Sequence, residues 1–287
     1  MIINKPYIET REDQTYLISK IKDEVSNIEE DVFFAVPNEY GKYLCDEVAD
    51  SFVVAMLLPA LVSKQDIYIN APISEILFYQ IENNLIYTLS KVFEKNSIKV
   101  IPQSTCSPKY NPTSVATGFS GGIDSFNTFL NHFEHDSLEF RLTDLALFNV
   151  GAYGNSKNAQ NSFNSDITRT KAFLKDFPLP LITINSNISS LHNYKEIFPF
   201  GTRFIINIIS GVLAIQKRIK TYIISSGYPI EYISVNSKYR DQANYDVLLA
   251  VFLSNSNTKF IISEINKNRV EKTIKIYNND WVEKHLY

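Results

Sequence analysis

From residue 115 to residue 226 the chain alternates short apolar runs with stretches of helical apolar spacing, and at the first junction it carries Ser120-Gly-Gly-Ile-Asp-Ser125. Such alternation predicts a parallel sheet with crossover helices. Residues 115–119, 142–150, 179–184 and 221–226 read as strands. Residues 124–132, 166–177 and 203–220 read as helices. A doubly wound sheet of this kind binds its ligand beyond the carboxyl ends of the strands, which is where the hexapeptide falls. Gly121 and Gly122 lack a Cβ, so the chain can reverse sharply and its N–H groups can approach an anion. The helix that follows offers unpaired N–H donors and the positive end of its dipole. Ser120 and Ser125 add hydroxyls. Asp124 is an acid beside a phosphate position, which a Mg²⁺ ion between the two would reconcile. The turn is neither a Walker loop nor a GxGxxG loop.

The first third reads differently. Residues 31–37, 65–70 and 97–102 are strand-like, while Leu44, Val48, Phe52 and Met56 fall at four-residue steps and predict one face of a helix over 39–58. That helix would contain Cys45, and Pro59 would close or kink it. Leu77, Ile81, Leu85, Leu89 and Val92 predict a second helix, with Ser74 as a candidate N-cap. Pro102, Pro108 and Pro112 then interrupt any regular element. The expected organisation is a smaller α+β N-terminal domain over 1–112, followed over 113–287 by an α/β, Rossmann-like nucleotide-binding domain.

With 287 residues, 45% of them hydrophobic, the chain can bury a large core. A formal charge of −3 argues against a general polyanion surface, so a small-molecule partner is expected rather than nucleic acid. Cys45 and Cys106 form no CxxC pair; a single disulfide between them is one reading and two reduced thiols the other. Residues 1–13 carry charges and Pro6 where a secretory segment needs an apolar run, and no window suits a membrane span. A cytoplasmic location follows as the expectation, and a homo-oligomer is compatible with it. His132, His135, His192 and His285 lack the spacing of a zinc site, and no GxSxG elbow supports a serine hydrolase.

The hexapeptide resembles the SGGxDS signature of the PP-loop ATP pyrophosphatases, the superfamily of GMP synthetase, NAD synthetase, asparagine synthetase and the cyano-deazaguanine synthases. The resemblance implies ATP and Mg²⁺ as cofactors, with Asp124 on the metal and Ser120, Gly121, Gly122, Ile123 and Ser125 around the phosphates. In that superfamily adenine lies along the first two strands, held largely by backbone groups, which points to Phe119, Phe148 and Asn149; ordinary core packing is the other reading of the two rings. Pro199, Gly201 and Arg203 look like a stretched version of a cyano-deazaguanine synthase motif. A guanidinium at the start of an apolar helix calls for an anion, so Arg203 is a phosphate candidate, with a surface arginine as its alternative. Ser226 closes a strand on the same edge, as a substrate contact or a simple turn. Lys272, in Asn268-Arg-Val-Glu-Lys272, looks like a late pyrophosphate contact, although a solvated helix face explains it equally.

The implied reaction is attack of a carboxylate or carbonyl oxygen on the α-phosphorus of ATP, with release of pyrophosphate and displacement of AMP by a nucleophile. Asp124, Ser125 and Arg203 are the catalytic candidates. The chain has no cysteine after Cys106, which disfavours sulfur transfer, and it lacks the four-cysteine zinc site of the cyano-deazaguanine synthases. Ligation of a small acid or carbonyl compound with ammonia or an amine remains. Related chains often run on into a cysteine-containing tail, so a shortened, altered version is part of this expectation. A nucleotide-binding regulatory protein without turnover is the alternative; a nucleic-acid-modifying enzyme would require a basic groove.

Overall fold

The computed structural model describes residues 1–154, 158–191 and 199–286. His192 lies outside the described residues.

The N-terminal part runs β1 (Ile2–Ile3), β2 (Tyr7–Arg11), β3 (Gln14–Asp23), β4 (Ile28–Pro37), α1 (Asp50–Ser63), β5 (Ile67–Ser74), α2 (Glu75–Gln80), α3 (Ile86–Phe93) and β6 (Val100–Cys106). There follow β7 (Ser114–Gly118), α4 (Ile123–His132), β8 (Asp144–Asn149), α5 (Ala159–Phe173), β9 (Leu181–Ser186), α6 (Phe204–Ala214) and β10 (Ile219–Ser225). The remainder is α7 (Asp246–Phe252), β11 (Lys259–Ser263), α8 (Arg269–Ile276) and α9 (Asp280–His285).

The architecture is α/β, built on one mixed, mostly parallel sheet of 11 strands in the order β11-β10-β7-β8-β9-β4-β3-β1-β5-β6, with β2 alongside β3. Within it β9-β8-β7-β10-β11 is parallel throughout, in the 3-2-1-4-5 order of doubly wound sheets. That order reverses between β7 and β10. The sheet does not stop at the expected boundary near residue 112. β4 pairs antiparallel with β9 through Phe34↔Ser186 and Ala35↔Asn185, and one apolar core takes in Phe34, Phe52 and Leu57 together with Phe148, Ile206 and Ile209. Residues 107–113 thus mark a change of topology inside continuous packing.

Several local expectations are corrected. Cys45 is not in a helix: it sits in the connection before α1, where its N–H bonds Ala214 O at 2.9 Å. Burial pushes its thiol up to about 12, and both Cys45 and Cys106 are free. Pro59 lies inside α1, which ends only where Lys64 turns left-handed. The helix also buries far more than one face, because it is wedged between the sheet and α6; Val53, Val54, Leu57 and Leu58 are all shielded. The helix expected over 203–220 ends at Ala214, since Ile219 already starts β10. The strands β1 to β3 have no counterpart in the sequence reading. Their open face is polar, with Lys20 opposite Asp31 and Lys22 opposite Glu29 in the β3–β4 register.

α4 explains how the sheet edge is organised. Phe126, Phe129 and Phe133 recur at helical spacing and pack with Phe119, Phe173 and Phe177 into an aromatic cluster. Asp124, Asn127, Thr128, Asn131 and His132 occupy the other flank and meet the ends of β10, β11 and α8. Among the described residues no helix is long and apolar enough to cross a membrane.

Candidate functional site

β7 stops at Gly118 and α4 starts at Ile123, so the glycine turn spans the gap at the point where the strand order reverses. Gly121 has φ 75°, a left-handed backbone that favours glycine. Gly122 is extended, and a Cβ there would meet only Ser120 Oγ, at 3.5 Å. Phe126 N–H makes the first helical bond, to Gly122 O at 3.0 Å, leaving the N–H groups of Ile123, Asp124 and Ser125 ahead of the ladder. The serines brace the turn from inside. Ser125 Oγ donates to Gly122 O at 2.8 Å, and Ser120 Oγ accepts from Gly122 N–H at 3.4 Å.

Beneath the turn lies a buried ammonium. Lys272 is only 2% exposed; its Nζ donates to Asp124 Oδ1 at 3.2 Å and to Ser226 O at 2.6 Å. Asn268 caps α8 in a full capping box with Glu271, which sets the helix that carries Lys272 against α4, and Asn127 Nδ2 secures it through Lys272 O at 3.0 Å. An ammonium has three donors, so one of Lys272's is left beyond these two bonds. Ser226 contributes its carbonyl here, since its hydroxyl donates to Tyr228 O at 2.6 Å. The solvated-face reading of Lys272 therefore does not hold.

A pocket of about 260 Å³ opens beside the turn, bordered by Phe119, Ser120, Asp124 and Ser125 and by the ends of β7, β8 and β10 under α6. The two aromatic candidates part company here. Phe119 is 1% exposed, with its ring stacked on Phe173 at 4.4 Å in the aromatic cluster. Phe148 lies on the opposite sheet face, stacked on Tyr222 at 5.8 Å and bordering the pocket. Asn149 uses its side-chain amide on Asn185 Oδ1, at 2.8 Å. Arg203 is buried and does not border the pocket: a Cβ on Gly151 would stand 2.6 Å from its Nη1, which places the guanidinium under the connection leaving β8. A surface arginine is therefore also excluded. Of the segment 197–203 that carried the resemblance, Ile197 and Phe198 lie outside the described residues.

Two residues escaped sequence reading. Tyr222 reads as an ordinary strand residue, yet it borders the pocket with its hydroxyl beside Gly118. Asp246, in the first turn of α7, is buried, and burial raises its carboxyl to about 7 against the pull of the Lys272 charge. Neither has a local motif; each is placed by strands and helices distant in sequence. His132 is anchored between Phe140 O, 3.1 Å from Nδ1, and Ser263 Oγ, 3.2 Å from Nε2, while its ring stacks on His135.

Among the described residues no group of three or more His, Cys, Asp or Glu side chains is placed to hold a metal ion. Among the described residues Asp124 is the one charged side chain bordering the pocket, a donor set that suits a Mg²⁺ ion completed by phosphate oxygens and water rather than a protein cage. Comparison with family models, with curated proteins and with solved structures finds no match in any of the three.

Proposed function

We propose that this protein binds Mg-ATP at the glycine turn and activates a carboxylate or carbonyl oxygen of a small molecule as an adenylate, releasing pyrophosphate, for bond formation with ammonia or an amine. One observation carries this reading. The open first turn of α4 faces the switch point of a doubly wound sheet, with Asp124 at its rim and the Lys272 ammonium beneath it. The N–H groups of Ile123, Asp124 and Ser125 and the Ser120 hydroxyl hydrogen-bond phosphate oxygens, and the dipole favours their charge. Asp124 and those oxygens would hold the Mg²⁺, which when bound supplies neutralising charge for the pyrophosphate. Lys272 adds its free donor from below. Little acid–base chemistry is required, because alignment of the attacking oxygen and preorganised charge provide the acceleration.

Isothermal calorimetry with Mg-ATP, followed by assay of AMP and pyrophosphate with a panel of small acids, tests the reading. Asp124→Asn is expected to weaken Mg-ATP roughly tenfold or more; unchanged affinity and turnover would remove Asp124 from the site. The burial of Arg203 away from the pocket favours a second reading, nucleotide binding without turnover. Tight Mg-ATP binding with no AMP across the panel is its signature.

A further inference from the structure

Among the described residues the pocket's far end is lined mostly by apolar side chains, with the Tyr222 hydroxyl among them. Tyr222 is 2% exposed, and among the described residues its hydroxyl has no hydrogen-bond partner. The phenol ring is buried while the residue borders the cavity, so its hydroxyl is placed to donate to a ligand there. The surroundings hold that hydroxyl in place. Its ring stacks on Phe148, the interplanar angle being 18°, and packs edge-on against Phe260. Gly118 leaves the space in front of it, since a Cβ there would come within 3.0 Å of the hydroxyl oxygen. Gly118 and Ala146 are register partners on β7 and β8, so the floor between the aromatic walls is low.

We infer that Tyr222 is a specificity-determining residue whose hydroxyl reads the edge of a flat, uncharged nitrogen heterocycle held against Phe148 and the Gly118–Ala146 floor. A flat ring suits low backbone between aromatic and aliphatic walls, with Phe204 and Ile208 closing from α6. An uncharged ring fits because Asp124, at the turn, is the only charged side chain on the pocket's border among the described residues. A heterocyclic nitrogen or ring carbonyl gives the hydroxyl its acceptor. The ring is either the nucleotide's base or a heteroaromatic acceptor, and the inference rests on the proposed function only in taking this pocket as the binding site.

Three probes separate the possibilities by calorimetry on the full chain: adenosine, pyridine carboxylic acids with benzoic acid as the nitrogen-free control, and Mg-tripolyphosphate. Tyr222→Phe removes only the hydroxyl and is expected to weaken the recognised heterocycle about tenfold while leaving tripolyphosphate affinity unchanged. Loss for adenosine assigns the ring to the nucleotide; loss for the pyridine acids but not benzoic acid assigns it to the acceptor. Gly118→Ala crowds the hydroxyl from the other side and is expected to reproduce the loss, so the test survives if either variant folds poorly. Heterocycle binding without tripolyphosphate binding would sink the proposed function and support this inference. Equal heterocycle affinity in wild type and both variants, or no heterocycle binding at all, would overturn it.

Discussion

The two flanks of α4 do opposite things with the same helix. On one, Phe126 and Phe129 interlock with Phe119, Phe173 and Phe177 with ring centroids 4.4 to 5.8 Å apart. On the other, a seam of hydrogen bonds and ion pairs runs from Asp124–Lys272 through Thr128–Ser225 to His132–Ser263 and Lys275–Glu264. The aromatic flank is buried area and ring geometry, with no titrating group among these phenylalanines. The polar flank gains little net stability per bond, because each group gives up water to make it. What it provides is orientation: the residues that line the turn and the pocket are held by it. Stability and site geometry are therefore divided between two sides of one element.

Phe173→Ala is the severest way to break this contrast. Phe173 is fully shielded and touches four other phenylalanine rings, so the loss is expected at about 3–5 kcal/mol in denaturant unfolding. A loss no larger than those on the polar flank would show that the cluster is not the stabilising side. Glu264→Gln probes the seam through pH. Burial raises this carboxyl, but hydrogen bonds from Lys267, Asn131 and Lys275 overcome it and leave it at about 2. With the folded value below the unfolded one, its stabilisation is present above roughly pH 4 and disappears as pH falls through about 2. The variant should be less stable by about 2–3 kcal/mol at neutral pH and converge on wild type near pH 2. A gap that stays constant across that range would refute the assignment. The mildest change is Thr128→Val, which removes the 2.8 Å bond to Ser225 at constant shape. It should cost about 1 kcal/mol in the melt. It should also release Ser225, on the pocket border, and weaken pocket ligands in calorimetry more than its stability cost suggests. Ligand affinity identical to wild type would mean that the seam does not orient the site.

Much of the parallel part was readable because its strands are apolar runs bounded by glycine, proline or polar turns, and its first turn carries two adjacent glycines. The backbone shape of the turn was readable for the same local reason. The β2–β3 hairpin was not: one face of β3 is solvated, and Lys20 and Lys22 make sense only opposite the acids of β4. The joined sheet was hidden too, because β4 and β9 meet through only two residue pairs. Lys272 reads in sequence as a pyrophosphate contact or as a solvated charge, and only the capped α8 laid on α4 shows that it is buried. Arg203 looked aimed at phosphate because sequence gives a helix start but not the Gly151 backbone above it. Tyr222 matters only through the missing side chain at Gly118, a residue more than a hundred positions earlier.

The short β4–β9 junction also bears on how the chain is made. Phe33 and Ser186, whose backbone carbonyl and hydroxyl meet there at 2.6 Å, are 153 positions apart. While the ribosome is still adding the intervening residues, β4 is an uncovered edge with free amides and carbonyls, open to pairing with another nascent chain. Closing such a distant contact slows folding, so aggregation during synthesis competes with the arrival of β9.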